Sequence, residues 1–436
     1  MTQIRTLEEA QKVLANYIPH VSELLGKDLT LQRMKPMLAV LGNPETKLKI
    51  IHVAGTSGKT STAYYVTALL KEAGVVVGLT ISPHLDSVIE RVQINLEPLP
   101  EPVFCKALSE FLELISQVEP KPTYFELLIA FVYWYFAKIE VDYAVIETGL
   151  GGSFDATNVA GNSNKVCVLT DIGLDHMHVL GDTLAEIARQ KAGIIYPQNQ
   201  VFSYQQSSVV MRVFEAEVAE LHAILNVLSD YDDLSRGVPK TEIVKLPQYQ
   251  QRNWLLAKKV YDYIVQRDNL PVLEPEQLVT SMQVKIPGRM DIWAIDGKTL
   301  VMDGAHNEQK MTAFVASFQA LYPNQKATVV LALKKGKEYE TVLPLLEPIC
   351  SNLIVTSFDT FQDLPIVSIE PELLAREASR LGFKNVKTEH DYIKAYELAN
   401  SSSDDIVVIT GSFYLLSSLR TVIIQAHDKA YSSIRY

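Results

Sequence analysis

Cysteine is scarce in this chain of 436 residues: Cys105, Cys167 and Cys350 are the only three, and they lie far apart. They match neither a zinc-ligand spacing nor a disulfide framework, and they read as reduced, buried thiols of a cytosolic protein. Positive charge is short as well. Forty Lys and Arg face 51 Asp and Glu, a formal net charge of −11, which argues against nucleic acid or a membrane surface as partner. Long apolar runs are missing too. The most apolar stretch of the first half, LLIAFVYWYFAKI (127–139), is too short to span a bilayer and reads as a buried helix. The N-terminal MTQIRTLEEAQKVLANY mixes charge with apolar residues at helical spacing and has no signal-peptide core. One further absence is local. GKTS (58–61) reads as a phosphate loop, yet Val53 stands where a Walker A motif has its first Gly, and the nearest Gly is Gly55.

What is present is ample apolar material, 47% of the residues, enough for two or three domains. KIIHVAG (49–55) reads as a strand, TSTAYYVTALLKEAG (60–74) as a helix capped by Gly74, and VVVGLTIS (75–82) as the next strand. A strand, Gly-rich turn, helix and strand make a βαβ unit and imply a parallel sheet. Helices are expected over 103–117, 124–139, 184–195, 207–222 and 252–266, and strands over 142–149 and 165–173; 200–245 is otherwise less legible. IPGR (286–289) signals a turn or linker, and MDIWAI and KTLVMD flank an Asp-Gly pair as a β-hairpin would. The α/β alternation then resumes, with strands over 327–333, 352–356 and 405–410. The domain boundary is placed near 286, giving domains 1–286 and 287–436, the second a smaller α/β domain.

The Gly-rich turn between strand and helix lets backbone N–H groups and the helix N-terminus face phosphates, with Lys59 adding a full charge. Gly58 gives the turn its freedom, and Thr60 or Ser61 offers a hydroxyl to phosphate or Mg²⁺. Ser82, Pro83 and His84 follow the second strand, at the sheet end where ligands of parallel sheets gather. His84 and Arg91, taken alone, read as surface loop residues. Glu147 closes a very apolar strand, where a carboxylate holds a metal on a nucleotide or else caps a helix or pairs with a cation. Asp175 and His176 follow the next strand; one of His176 and His178 can ligate from a loop, and His178 keeps a structural reading. Lys191 lies on the following helix beside Ala192 and Gly193, as an ATP contact or as a carbamylated, metal-binding anion.

HVAGTSGKTS (52–61), SPHL…ER (82–91), TYFE (123–126), ETGLGG…DATN (147–158), LDH…LG (174–181), QKAGII (190–195), PGR (287–289), DGAHN (303–307) and TGSFYLL (410–416) occur in one order. Together with DLTLQRMKPMLAVLG (28–42), they resemble the folylpolyglutamate synthase/dihydrofolate synthase family of the Mur ligase superfamily. The short GTSGK loop resembles the GTNGK loop of that family, so the missing first Gly is no defect.

The resemblance implies an α/β fold with an N-terminal P-loop ATPase domain of Mur ligase type and a smaller C-terminal Rossmann-like domain. It implies a monomer that binds ATP at Gly58, Lys59, Thr60 and Ser61, with further contacts at Asn253, Arg289 and Asp303. Mg²⁺ ligands would be Ser82, Glu147, His176 and a carbamylated Lys191; Lys59, Glu147, His176 and Lys191 would carry the catalysis. Acceptor contacts would come from Asp28, Leu29 and Thr30, from Thr123, Tyr124, Phe125 and Glu126, and from Phe154, Asp155 and Ala156. The implied reaction phosphorylates a carboxylate with ATP and lets the α-amine of L-glutamate displace phosphate, the acceptor being dihydropteroate or a reduced folate. Departures from the family pattern are Ser57 for Asn, Ser153 for Arg, Thr30 for Gly, Glu308 for Pro and Gly336 for an acid. Two other readings are a Mur-type ligase acting on a peptidoglycan precursor and a non-catalytic nucleotide-binding regulator.

Overall fold

The computed structural model describes residues 3–19, 31–228, 237–361 and 365–433. The expected acceptor residues Asp28, Leu29 and Thr30 lie outside the described residues. The chain divides into two compact units: Met1–Ile243 with Gln250–Val284, and Val244–Tyr249 with Lys285–Tyr436.

The first unit is built on an eight-stranded sheet. Its strands are β1 (Ile50–Ala54), β2 (Val77–Thr80), β3 (Gln93–Ile94), β4 (Glu97–Pro98), β5 (Tyr143–Glu147), β6 (Val166–Leu169), β7 (Gln200–Tyr204) and β8 (Ile224–Leu228), in the order β4-β3-β2-β5-β1-β6-β7-β8. From β2 to β8 every neighbouring pair is parallel, and β3 and β4 add an antiparallel edge. β1, β2, β5 and β6 are buried at every position, as strands covered by helices on both faces must be. Parallel strands put their C-terminal ends on one edge, so the segments after β1, β2, β5 and β6 converge there.

The most apolar segment forms the helix Tyr124–Lys138, which packs Phe131 edge-on against Phe104 and Phe111 of the helix Glu101–Leu114. The expected strands and helices of this unit are all present. β7 and β8, in the less legible stretch 200–245, extend the sheet beyond β6, with the helix Ser208–Glu220 between them. All three cysteines are buried and free. Among the described residues no helix is long and apolar enough to cross a membrane.

The second unit has a six-stranded sheet in the order β15-β12-β11-β16-β10-β9, made of β9 (Asp291–Ile295), β10 (Lys298–Asp303), β11 (Ala327–Leu331), β12 (Cys350–Val355), β15 (Val386–Thr388) and β16 (Ile406–Thr410). A separate hairpin joins β13 (Asp359–Phe361) to β14 (Pro365–Val367). β9 and β10 form the expected antiparallel hairpin. Its turn places Asp296 at φ 52° and Gly297 at φ 76°, the left-handed pair that a two-residue hairpin turn needs. All other neighbours are parallel. Phe314, Phe318, Val329 and Leu353 lie at the heart of this unit's own core.

Candidate active site

The phosphate loop leaves β1 at Ala54 and enters the helix Lys59–Glu72 through Gly58. Gly58 has φ 88°, and a Cβ there would lie 2.7 Å from Asn253 Oδ1; only glycine suits this backbone and this approach. Asn253 is itself fixed, because Tyr204 Oη donates to its Oδ1 at 2.7 Å. The Gly55 carbonyl accepts from two ammonium groups, Lys59 Nζ at 3.0 Å and Lys191 Nζ at 2.9 Å. Those two charges therefore lie within about 6 Å of each other, a repulsion of roughly 3 kcal/mol at an effective dielectric near 20.

Glu147, 2% exposed, stands at the end of β5 between two neighbours. Thr60 Oγ1 donates to its Oε1 at 2.8 Å and Ser82 N to its Oε2 at 3.3 Å. Ser82 Oγ is buried and has no hydrogen-bond partner among the described residues, an uncommon state for a buried hydroxyl and one that a cation ligand would resolve. Ser61 is buried in the first turn of the helix. His176 opens the short helix Met177–Leu180 with φ 52°, beyond β6 at the same sheet edge; its Nε2 is 3.9 Å from Asp175 Oδ1 and its side chain is 44% exposed. Among the described residues no three His, Cys, Asp or Glu side chains form a metal-holding group; the implied set differs in drawing on a hydroxyl and a lysine.

The segment after β6 holds the loop from behind, a support that the motifs alone do not reveal. Asp171 O accepts from Thr56 N at 2.8 Å and Ser57 N at 3.2 Å, and Thr56 Oγ1 exchanges hydrogen bonds with both backbone groups of Gly173. Arg252 makes a two-pronged contact with the Asp171 carboxylate and lies over the Tyr204 ring. Burial raises the Asp171 carboxyl above its usual range, and Arg252 opposes that. The only signal for it in the sequence is Arg252 beside Asn253 and an Asp just past an apolar strand.

The reading of His84 and Arg91 as surface residues is overturned. Both are buried, and Arg91 Nε donates to His84 Nδ1 at 3.0 Å. Burial first, and then the adjacent guanidinium, push the imidazole down to about 3. Glu90 accepts from the amides of Leu85, Asp86 and Ser87, so SPHL…ER is a self-bonded loop.

Among the expected acceptor residues, Thr123 caps the helix Tyr124–Lys138 in a reciprocal box with Glu126, whose two carboxylate oxygens also accept from Arg33 Nε at 3.0 and 2.8 Å. The Tyr124 ring lies under the Arg91 guanidinium. Phe125 packs so closely on Gly149 that a Cβ there would come within 2.5 Å of its ring. In the loop 149–158 Asp155 and Ala156 are buried while Phe154 is 49% exposed. Ser153 bonds through N and Oγ to Gln190 O, and a Cβ at Gly193 would collide with its hydroxyl. The loop is thereby tied to the helix that carries Lys191.

In the second unit the amides on either side of Arg289 are clamped by carboxylates: Gly288 N by Asp291 and Met290 N by Asp303. Asp303, buried at the end of β10, also accepts from Tyr249 Oη and Ala305 N. Its carboxyl is raised by burial and lowered by Arg289. The Arg289 guanidinium lies 4.6 Å over the Phe413 ring.

Two family models match the chain: "Mur ligase middle domain" over residues 53–222 and "Dihydrofolate synthetase, C-terminal domain" over 290–422. The dihydrofolate synthase/folylpolyglutamate synthase of Bacillus subtilis is 30% identical over 418 residues, 89% of this chain and 94% of that protein. The dihydrofolate synthetase of Saccharomyces cerevisiae is 32% identical over 418 residues, 90% of this chain and 97% of that one. Among solved structures, Mycobacterium tuberculosis folylpolyglutamate synthase complexed with ADP aligns at a TM-score of 0.81 and 27% identity, over 96% of this chain and 98% of that one.

Proposed function

The chain belongs to the dihydrofolate synthase/folylpolyglutamate synthase family, and from that premise we infer that it is an ATP-dependent ligase joining L-glutamate to dihydropteroate, to reduced folates, or to both. The observation that carries the reading is the meeting of Lys59 and Lys191 on the Gly55 carbonyl beside a buried phosphate loop, with Glu147 held at the edge of the same sheet by Thr60 and Ser82.

A carboxylate is a poor electrophile, so its oxygen first attacks the γ-phosphorus of ATP, releasing ADP and leaving an acyl phosphate. The glutamate amine then attacks the acyl carbon, phosphate leaves, and the amine proton goes to solvent or to that phosphate. The charge of triphosphate and carboxylate must be met by groups fixed in advance. Gly58, Lys59, Thr60 and Ser61 face the phosphates in this scheme, with Asn253 of the same unit as a further nucleotide contact. Thr123 to Glu126 and Phe154 to Ala156 border the acceptor, with the exposed Phe154 face available to a flat ring system. Ser82, whose hydroxyl has no partner among the described residues, Glu147, His176 and Lys191 would hold Mg²⁺, Lys191 through a carbamate. Mg²⁺ there supplies charge neutralisation to the phosphoryl group. A cytoplasmic monomer that acts on small molecules, without nucleic acid or membrane, completes the proposal.

The deciding experiment follows ADP release with glutamate and three acceptors offered singly: dihydropteroate, a reduced folate and a UDP-muramoyl peptide. Release with either pteroate compound, and none with the muramoyl compound, supports the reading. Release only with the muramoyl compound, or with none, overturns it. Lys59→Ala abolishes release if the loop serves ATP, and undiminished, bicarbonate-insensitive turnover in Lys191→Ala would sink the carbamate.

A further inference from the structure

His52 lies in the middle of β1, fully buried and three residues before the carbonyl on which Lys59 and Lys191 meet. Its Nε2 is 2.9 Å from Thr157 Oγ1. The Thr157 hydroxyl donates to Asp155 Oδ1, which also accepts from Thr157 N at 3.0 Å, while Asp155 Oδ2 accepts from Leu150 N at 2.7 Å. A hydroxyl has one proton to give. Since Asp155 receives it, the bond between Thr157 and His52 requires the proton on Nε2. His52 Nδ1 is then a bare acceptor, and it is buried without a partner among the described residues. Burial, aided by the Lys165 ammonium, holds the ring neutral, well below the ordinary histidine range.

We propose that His52, in its Nε2–H tautomer, is a positioning residue that fixes the acceptor-side loop 149–158 to the strand bearing the phosphate loop, through Thr157 and Asp155. The relay ties the start of that loop through Asp155, and further bonds hold its far end. Asp155 closes it onto Leu150, Tyr133 Oη holds Thr157 O at 2.7 Å, and Asn158 Nδ2 reaches Ser153 O and Gly193 O at its far end. Phe154 is thus presented from a frame whose reference is β1. The proposal rests on the ligase reading above in assigning the loop to the acceptor.

The test compares His52→Leu with His52→Gln, whose amide can still donate where Nε2–H does. His52→Leu is expected to raise the acceptor KM about tenfold or more, the scale of one lost buried hydrogen bond, with the ATP KM within about twofold. His52→Gln recovers most of the loss. Equal rises in both KM values, no rise, or no recovery by Gln overturns the proposal. Should His52→Leu not fold, Thr157→Val takes its place with the same expectations for the two KM values. Ring ¹⁵N spectra of the intact wild-type protein, with His52 assigned by its loss in His52→Gln, must show a protonated Nε2 and a bare Nδ1; the reverse tautomer overturns it outright. A wild-type protein without acceptor-dependent ADP release would refute the ligase reading, while the spectrum still decides the tautomer.

Discussion

Glu147 is an acid at the end of an apolar strand, a place with little use for a carboxylate unless positive charge is to be met there. Thr60 and Ser82 hold its two oxygens in place. Glu147→Gln keeps the shape and an acceptor for Thr60 but removes the charge. Turnover is expected to fall about 100-fold or more, the scale of losing one charge-stabilising group, with the thermal midpoint little changed; steady-state ADP release and a melting curve check it. That strand-end acid is legible in the sequence, whereas His84 and Arg91 are not. Their side chains are buried by each other and by Tyr124, across stretches of chain that no local pattern links. His84 then makes a pH prediction. Its folded value, about 3, lies below the unfolded value near 6.5, so the unfolded chain binds the extra proton over that window. Stability contributed by neutral His84 is complete above about pH 6.5 and is lost on acidification, by up to roughly 1.4 kcal/mol per pH unit. Urea midpoints of wild type and His84→Gln between pH 7 and pH 4.5 should converge or cross as pH falls; a constant gap would refute it.

Elements were legible where periodicity and end signals agreed. The helix Tyr124–Lys138 begins at a Thr with Glu three residues on, and the structure shows both halves of that capping box. The same TYFE segment carries the proposed acceptor contacts, so the proposal superposes cap and function there. Thr123→Ala should cost about 1 kcal/mol of stability, and Thr123→Ser should restore most of it; chemical denaturation of the three proteins measures this. A loss equal in both variants would mean that the methyl group, and not the capping oxygen, matters. β7 was hidden because polar Gln200 and Ser203 interrupt its apolar residues, and β8 because, at the sheet edge, it is nowhere fully buried. Such a strand shows neither a continuous apolar run nor a clean alternation.

At the scale of the molecule, order carried the fold: nine short motifs in one sequence order restrict the chain more than any one of them. What order could not carry is grouping in space. Val244–Tyr249 associates with the second unit although the chain returns to the first at Gln250, and Tyr249 spends its hydroxyl on Asp303. Separate cores also set how the protein should melt, because the phosphate loop, Lys191 and Asn253 all belong to the first unit. A nucleotide at 100 times its Kd stabilises the form that binds it by about 2.7 kcal/mol, which raises the midpoint of a unit this size by roughly 5 °C or more. Trp134 and Trp254 report on that unit, and Trp293 on the other. The fluorescence-monitored midpoint should therefore rise with ADP in the wild type, and Lys59→Ala should melt near the wild-type apo temperature with no rise at the same ADP concentration. An equal rise in Lys59→Ala would place the nucleotide somewhere other than the loop that ends β1.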